Sequence, residues 1–442
     1  MALRNHRATA MRTIALLAAS VLSATMAAQR PSPAPAQSRS ILVKGGTVHV
    51  GDGRTFTDGA VGFRNGTIDF VGHEYAVKAV YDTVIDARGK QVYPGFILPD
   101  ATLGLVEIDM VRASVDDAER GDMEPEVRAM TAYNADSWII PTVRANGVLL
   151  AQVVPRGNVV SGTGSIVQLD AWNNLDAAVK TDEDIQLQWP AAFVQRGWWA
   201  EPGPTEAEEE ARRTEKLQAI RSFFQQAKAY ADDPRPEKID LRLSAMRGLF
   251  SGEKALYVHA DRAREIQEAV LFAREMGVRH TVLVGGHDAW RVADLLREKK
   301  VDVILQRLHS LPQREDEAPD LPYRLPALLK ERGVRFCLGY GGDMERMGAR
   351  NLAFQAGTAA AYGLGPEDAL RAITLDAAGI LGIDQRYGSL EAGKSATLFI
   401  SAGDALDMRD NQVEAAFIDG RQINLDDRQK DLWHQYERRY GR

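Results

Sequence analysis

The segment at residues 93–104 reads YPGFILPDATLG. Its apolar run continues past the Pro-Gly pair and then opens into a loop that carries Asp100 and Thr102, two residues apart. Side chains two apart in a strand point to the same face. A strand in this segment would therefore present Asp100 and Thr102 side by side where it ends.

Both ends of the chain show short strand patterns separated by tight turns. The Asn65-Gly66 pair is a strong hairpin signal between two of them. The predicted strands are 41–44, 47–50, 60–63 and 67–71 at one end, and 396–400, 413–418 and 421–423 at the other. Because both ends are β-rich, we predict that residues 41–92 and 390–425 form one small composite β-sandwich.

The middle of the chain alternates strand patterns with helical ones, which is typical of α/β proteins. The predicted strands are 147–154, 255–259, 281–284, 301–305 and 334–338, and the predicted helices are 263–276, 289–299 and 325–332. The polar stretch 205–233 predicts a long solvated helix. This alternation predicts a (β/α)8 TIM-like barrel over residues 93–389, followed by a helical tail at 426–442. In such a barrel, the chemistry comes from residues at the carboxyl ends of the strands.

Composition narrows the class of protein. The chain has 442 residues, of which 45% are hydrophobic and 26% charged, as expected of a globular protein with a large core. A net charge of −7 argues against a surface for nucleic acid or anionic membranes. Cys337 is the one cysteine in the sequence, so an intrachain disulfide and a cysteine-rich zinc site are both excluded. Its apolar surroundings predict a buried core residue.

The N-terminus has the pattern of an export signal. Arginines precede a short apolar stretch at residues 14–22, and small residues follow it. We predict a signal peptide over residues 1–28 and a flexible leader over 29–40, and hence an exported, periplasmic protein without a membrane span after cleavage. Met1 and Met11 are both candidate start positions.

Several of these segments resemble the amidohydrolase superfamily, in its imidazolonepropionase-like branch. The first barrel strand of that family carries Pro-Gly-Phe-Ile-Asp-x-His-x-His. Residues 94–97 match the start of this pattern, Leu98 stands at its aspartate, and Asp100 and Thr102 stand at its two histidines. The run from Ala369 to Leu398 is similar to the family's closing helix and its return into the β-sandwich. This resemblance implies the same barrel-and-sandwich fold and a hydrolase at family level.

The resemblance also implies a site for one or two divalent metals, which lower the pKa of a bound water to about 7. Its ligands are histidines after strands one, five and six, often a lysine or glutamate after strand four, and an aspartate after strand eight. His259 matches the strand-five histidine. Four other ligand positions carry different residues from those of the family. Asp100 and Thr102 stand at the strand-one histidines, Gly285 at the strand-six histidine and Gly341 at the strand-eight aspartate.

A rearranged metal site is one alternative. Polar side chains at or just after predicted strand ends could converge on the barrel mouth: His259, Asp261, His287, His309, Asp343 and Glu345. We predict metal ligation by His259, Asp343 and Asp100, and catalytic roles for His259, Asp343 and His309. Histidine and carboxylate ligands suit zinc, manganese or iron. Each side chain also has a structural explanation, such as Asp261 capping the following helix.

The Gly-rich segment at residues 159–165, VVSGTGS, is a candidate anion-binding loop. It lacks the Gly-Lys-Ser/Thr ending of a nucleotide-binding loop. A tight turn is the favoured interpretation.

Two functions follow. The first is a hydrolase of non-peptide C–N bonds in small or cyclic amides, using one divalent metal in a reduced site. The second is a catalytically inactive subunit or binding protein that holds no metal and partners an active relative. The ligands and partners expected are a small amide or peptide-like molecule, an active amidohydrolase, and a second copy of the chain.

Overall fold

A computed structural model describes residues 32–192, 204–342 and 345–441. The predicted signal peptide lies outside the described residues. Within the described ranges, no helix is both long and apolar enough to cross a membrane. Part of the predicted leader lies against the folded protein, since the Ala34 amide donates to Asp170 and the Ser40 amide to Asp82, each at 2.8 Å.

The strands described are, in chain order, β1 (Ile41–His49), β2 (Thr55–Arg64), β3 (Thr67–His73), β4 (Thr83–Asp86), β5 (Gln91–Pro94), β6 (Phe96–Ala101), β7 (Val148–Val153), β8 (Val160–Gly162), β9 (Ser165–Gln168), β10 (Ala178–Lys180), β11 (Asp184–Gln188), β12 (Ala255–Ala260), β13 (Thr281–Gly285), β14 (Asp302–Leu305), β15 (Phe336–Leu338), β16 (Leu398–Ser401), β17 (Val413–Ile418) and β18 (Arg421–Ile423).

The helices described are α1 (Ala129–Ala132), α2 (Ile139–Arg144), α3 (Asn174–Ala177), α4 (Glu206–Asp232), α5 (Leu241–Ser251), α6 (Ala263–Met276), α7 (Ala293–Lys299), α8 (Leu321–Glu331), α9 (Glu345–Gly348), α10 (Leu352–Ala359), α11 (Pro366–Ala372), α12 (Leu375–Ile380) and α13 (Arg428–Tyr440). Short 3-10 turns lie at Glu74–Ala76, Arg112–Ser114, Ala289–Val292 and Ala349–Asn351, and a π-helical turn at Ala360–Leu364.

Strands from the two chain ends form one sheet, in the order β18-β17-β16-β5-β1-β2-β3, with β4 also pairing with β1. The predicted hairpin joins β2 to β3, and Asn65 and Gly66 both have positive φ, as a two-residue turn requires. Phe63 from the first end and Phe417 from the second are both buried, with ring centroids 5.2 Å apart. The predicted association of the two ends is therefore confirmed.

The central strands form the predicted barrel. β6 pairs in parallel with β7, and β11 to β15 pair in parallel in sequence order. The third of the eight positions differs from a regular barrel, because β8 runs antiparallel to β11 and β9 antiparallel to β7. The tight turn predicted at residues 159–165 was therefore wrong. These side chains are buried in β8, in the first residue of β9 and in the residues beside them, where the chain passes from one barrel sheet to the other.

An aromatic cluster joins the barrel to the sheet of the chain ends. Phe96 of β6 and Phe399 of β16 are fully buried, with ring centroids 4.8 Å apart, and Tyr93 stacks on Phe399 at 5.4 Å. Burying one phenylalanine side chain contributes about 1.5–3 kcal/mol. The junction therefore fixes β6, and with it the residues that follow at the barrel mouth.

Candidate functional site at the barrel mouth

The barrel mouth is the surface formed by the carboxyl ends of the barrel strands. Asp100 is the penultimate residue of β6 and is almost fully buried. Its backbone has φ of 51°, a left-handed conformation that aspartate tolerates better than most residues. Its amide donates to Gln152 Oε1 at 3.1 Å. This backbone geometry turns the carboxylate toward the residues that follow β7.

Arg156, three residues past β7, is the main partner of Asp100. Its Nη1 donates to Asp100 Oδ1 at 2.9 Å, and its Nη2 donates to the Asp100 carbonyl at 3.0 Å. The same Nη2 reaches Glu345 Oε2 at 3.1 Å. Burial opposes the charge of the guanidinium, but Asp100 and Glu345 outweigh it and hold the pKa of Arg156 above its ordinary value. Sequence reasoning missed this residue, although an arginine just beyond a barrel strand was a usable signal.

Thr102, the second member of the pair on this segment, also contacts Glu345. Its amide donates to Glu345 Oε1 at 3.0 Å, and its hydroxyl donates to the same oxygen. Arg346 Nη1 donates to the Thr102 hydroxyl at 3.2 Å. Burial raises the pKa of Glu345, and Arg156 opposes that shift. Both positions that carry strand-one histidines in the resembled family are thus held by ion pairs and hydrogen bonds.

Gln306, just past β14, completes the contacts of the Asp100 carboxylate by donating its Nε2 to Oδ2. Gln306 lies beside Gly341, the residue at the position of the family's strand-eight aspartate. A Cβ atom built on Gly341 would lie 2.2 Å from Gln306 Oε1. Glycine at 341 and glutamine at 306 are therefore a matched pair.

Replacing Gly341 by aspartate is expected to lower the free energy of unfolding by about 1–3 kcal/mol, because the new side chain would overlap the Gln306 amide. Urea unfolding measures this loss. Removing the amide as well, in the double variant Gly341→Asp/Gln306→Ala, should recover part of the stability. A matched control is Gly72→Asp, since a Cβ there meets its nearest neighbour at 3.4 Å. An unchanged midpoint in Gly341→Asp would contradict the pairing.

His259, near the end of β12, does lie at the mouth. Its Nε2 is 2.8 Å from Gln186 Oε1 and 3.8 Å from Asp100 Oδ1. Burial lowers the pKa of His259 to about 4, so the imidazole is neutral at pH 7. Of the predicted site residues, the structure brings Asp100 and His259 together.

The other predicted site residues have different partners. His309 Nε2 is 2.7 Å from the Thr358 hydroxyl, and burial lowers the pKa of His309. The Asp261 carboxylate accepts the amide of His287 at 3.3 Å and does not cap α6, where Asp288 accepts the Ala263 amide instead. Asp343 lies outside the described residues.

A separate buried cluster has the composition of a metal site. His287, Asp288 and Glu317 each offer a ligand atom, and these atoms lie within 4.8 Å of one another. However, Arg314 donates to both carboxylate oxygens of Asp288, at 2.9 and 3.0 Å, and pairs with Glu317 at 2.5 Å. An arginine therefore neutralises the carboxylates of this cluster, and His287 Nε2 lies 2.9 Å from Glu317 Oε2.

Among the described residues, the donor set at the barrel mouth does not fit a divalent metal. Asp100 and His259 are its two adjacent donors, and within the described ranges no third histidine, cysteine or carboxylate ligand atom lies within 4.8 Å of both. Structural zinc sites use four ligands and catalytic ones three. In addition, the positively charged guanidinium of Arg156 lies against the Asp100 carboxylate.

The sequence is similar to those of a known protein family. A sequence model described as "Amidohydrolase family" matches residues 250–423. The imidazolonepropionase of Mesorhizobium japonicum (strain LMG 29417 / CECT 9101 / MAFF 303099) is 24% identical over 364 residues, which cover 77% of this chain and 86% of that protein.

Solved structures show the same architecture. An amidohydrolase from Thermotoga maritima MSB8 has a TM-score of 0.75 and 27% identity, and the match covers 87% of this chain and 99% of that one. An adenosine deaminase from Xanthomonas campestris with bound zinc has a TM-score of 0.50 and 16% identity, over 93% and 99% of the two chains. At that identity the second likeness concerns the fold alone.

Proposed function

We propose that the chain is a non-catalytic member of the amidohydrolase superfamily, in its imidazolonepropionase-like branch, whose members are hydrolases. The family match, the imidazolonepropionase relative and the amidohydrolase structure from Thermotoga maritima support this placement. The observation that carries the proposal is Arg156, which bridges Asp100 and Glu345 at the position of the family's strand-one ligands. The chain keeps the barrel and replaces the metal centre by an arginine–carboxylate cluster.

Electrostatics support this replacement. Two unit charges 4 Å apart interact by about 4 kcal/mol at an effective dielectric constant of 20, and a divalent ion doubles that figure. A metal 4 Å from the Arg156 guanidinium would be repelled by it to this extent, and it would compete for a carboxylate that the guanidinium already occupies. Arg156 therefore opposes metal binding at Asp100.

The role that remains is binding. We propose an exported, periplasmic protein that binds a small amide or peptide-like molecule, or pairs with an active amidohydrolase. The proposal of export rests on the N-terminal pattern of arginines followed by an apolar stretch.

Metal content tests the proposal directly. The mature protein, purified without added metal and measured by elemental mass spectrometry, is expected to hold well below one zinc, manganese or iron per chain. About one metal per chain that is lost in His259→Ala would overturn the proposal. Metal that survives in His259→Ala and is lost in His287→Ala would belong to the separate His287 cluster and would leave the mouth metal-free.

A second candidate function is metal-dependent hydrolysis of C–N bonds in small or cyclic amides. It is favoured by the 3.8 Å approach of His259 to Asp100 and by the neutral imidazole, which is the form that binds metals. In this candidate, His259, Asp343 and Asp100 would hold one zinc, manganese or iron. Asp343 or Glu345 would act as the base, and His309 would polarise the substrate carbonyl.

The second candidate makes an opposite prediction for His259→Ala. That substitution should then remove both the bound metal and turnover of small amides, measured on the same preparation. The contacts of Glu345 with Thr102 and of His309 with Thr358 weigh against it, because both side chains already have partners.

A further inference from the structure

The connection between β6 and α1 carries most of the protein's excess negative charge. Residues 107–128, here called the acidic loop, contain eight carboxylates and three arginines, against a net charge of −7 for the chain. The same loop exposes three apolar side chains, Ile108, Met110 and Val111, and Met110 is 92% exposed. Exposed apolar residues with charged residues around them are typical of interaction surfaces.

A cavity of about 310 Å³ opens within the acidic loop. Leu105, Val127 and Pro155 contribute apolar lining, while four carboxylates surround it: Asp116, Asp117, Glu119 and Glu126. Arg128 also lines the cavity but is paired with Asp182 at 2.7 Å. The cavity therefore favours a positively charged group with an apolar stem, such as an arginine side chain.

Helix α13, near the end of the chain, has complementary properties. None of its side chains is buried, and Trp433, Tyr436 and Tyr440 form one exposed stripe at spacings of three and four residues. The helix has four basic and two acidic residues. A 13-residue helix is marginal in water without packing of its apolar face. We therefore expect another protein surface to pack against this aromatic stripe.

We propose that α13 of one copy of the chain docks on the acidic loop of a second copy, reciprocally, in a two-fold dimer. Basic residues of α13 meet the carboxylates of the loop, and the aromatic stripe covers Met110 and its apolar neighbours. Trp, Tyr, Met and Arg are the residue types enriched in protein interfaces. In a two-fold dimer this helix–loop contact forms twice. Two-fold symmetry is the commonest symmetry of soluble oligomers. The dimer does not depend on whether the barrel mouth is catalytic.

A second copy fits this surface better than a membrane does. An amphipathic helix with basic and aromatic residues can also lie on anionic lipid. The acidic loop and the net charge of −7, however, oppose approach to anionic lipid and match a basic protein surface. Both halves of the contact are present on this one chain.

Charge reversal on each surface, followed by sedimentation equilibrium of the mature protein, tests the dimer. On the loop the variant is Glu119→Lys/Asp122→Lys, and on the helix it is Arg438→Glu/Arg439→Glu; all four side chains are exposed. Each double variant is expected to raise the dimer dissociation constant about tenfold or more, and the wild-type dimer should weaken with salt. Combining the four changes should restore association, because the charges are exchanged.

A matched control reverses two exposed acidic residues on α7, in Asp294→Lys/Glu298→Lys, and should leave the dimer unchanged. A monomeric wild-type protein would overturn the proposal. So would a dimer that one double variant breaks and the other does not, or one that the combined variant fails to restore. Binding of the monomer to phosphatidylglycerol vesicles, lost in Arg438→Glu/Arg439→Glu, would replace the dimer by a membrane role.

Discussion

Replacing Arg156 by methionine is expected to lower the free energy of unfolding by about 3–5 kcal/mol. Removing one partner of a buried ion pair leaves the other charge without compensation, and this is the usual size of that loss. Asp100 is almost fully buried, and Glu345 is buried beside it. Without the guanidinium, two carboxylates of like charge would face the same space. Denaturant unfolding at pH 7 measures the change.

Arg156→Lys should be intermediate, because an ammonium cannot donate to Asp100 and Glu345 in the forked geometry of a guanidinium. The matched control is Arg409→Met, which removes an arginine that is 83% exposed and pairs with Asp407. Exposed pairs contribute about 0–1 kcal/mol, so the control should change little. A loss in Arg156→Met no larger than in the control would show that the cluster does not hold the mouth together.

The same variant links stability to the proposed loss of metal binding. With the guanidinium removed, a divalent cation could partly compensate Asp100 and Glu345. We therefore expect added zinc to raise the melting temperature of Arg156→Met while leaving that of the wild type unchanged. A wild-type protein that zinc stabilises equally, in a His287→Ala background that removes the second cluster, would contradict this expectation.

Sequence patterns located the elements that have one clearly apolar face. Helix α6 spans residues 263–276 in both the prediction and the structure, because its apolar residues recur on one side and Gly277 ends it in a left-handed conformation. Strands β12 to β15 were found within two residues at each end, since they are short apolar runs. In both cases local sequence and tertiary packing impose the same pattern.

Strand β11 shows why part of the barrel could not be predicted. Its sequence, DIQLQ at residues 184–188, reads as a half-exposed strand or a loop. In the structure Asp184 and Gln186 are fully buried, and Gln186 contacts His259 of the adjacent strand β12. Along β11, polar side chains face the barrel interior and apolar side chains face the outer layer. The sequence of one strand cannot distinguish polar residues that face a barrel interior from polar residues that face solvent.

The candidate site was predicted at the positions that match the family's motifs and missed at Arg156 and Gln306. Asp100, Thr102 and Gly341 were identified because each aligns with a metal-ligand position in a motif of the family. Arg156 and Gln306 come from strands two and seven, where the resemblance assigns no ligand. Their contacts with Asp100 span 56 and 206 residues along the chain, so they emerge once the barrel brings the strands together.

Inside the barrel, below the mouth, lies a second buried polar group, the adjacent carboxylates of Glu183 and Asp184. Gln152 Nε2 donates to Asp184 Oδ2 at 2.8 Å and approaches Glu183 Oε1 at 3.5 Å. Burial and the neighbouring Asp184 raise the pKa of Glu183 to about 8, although Lys180 opposes the shift. Burial likewise raises the pKa of Asp184 to about 6. The two carboxyls titrate as one coupled pair.

The pair should make the protein less stable as the pH rises from about 5 to 8. Over this range the folded protein retains protons that the unfolded chain, with ordinary carboxyl pKa values near 4, has already released. Stability falls with pH wherever the folded state binds more protons. The stability contributed by these carboxyls is therefore present below about pH 4 and lost as the pH passes the folded-state pKa values of about 6 and 8.

Glu183→Gln is expected to flatten this dependence and to be more stable than the wild type at pH 8, by on the order of 1–3 kcal/mol. The amide has the same shape and carries no charge, and the ion pair it removes has a partly exposed partner, Lys180. Denaturant unfolding of both proteins at pH 5, 6.5 and 8 gives the two slopes. The exposed Glu298→Gln serves as the control, with the wild-type slope expected. A Glu183→Gln variant that keeps that slope, or is less stable at pH 8, would mean that Glu183 is folded in its charged form and that Lys180 and Gln152 suffice to hold it.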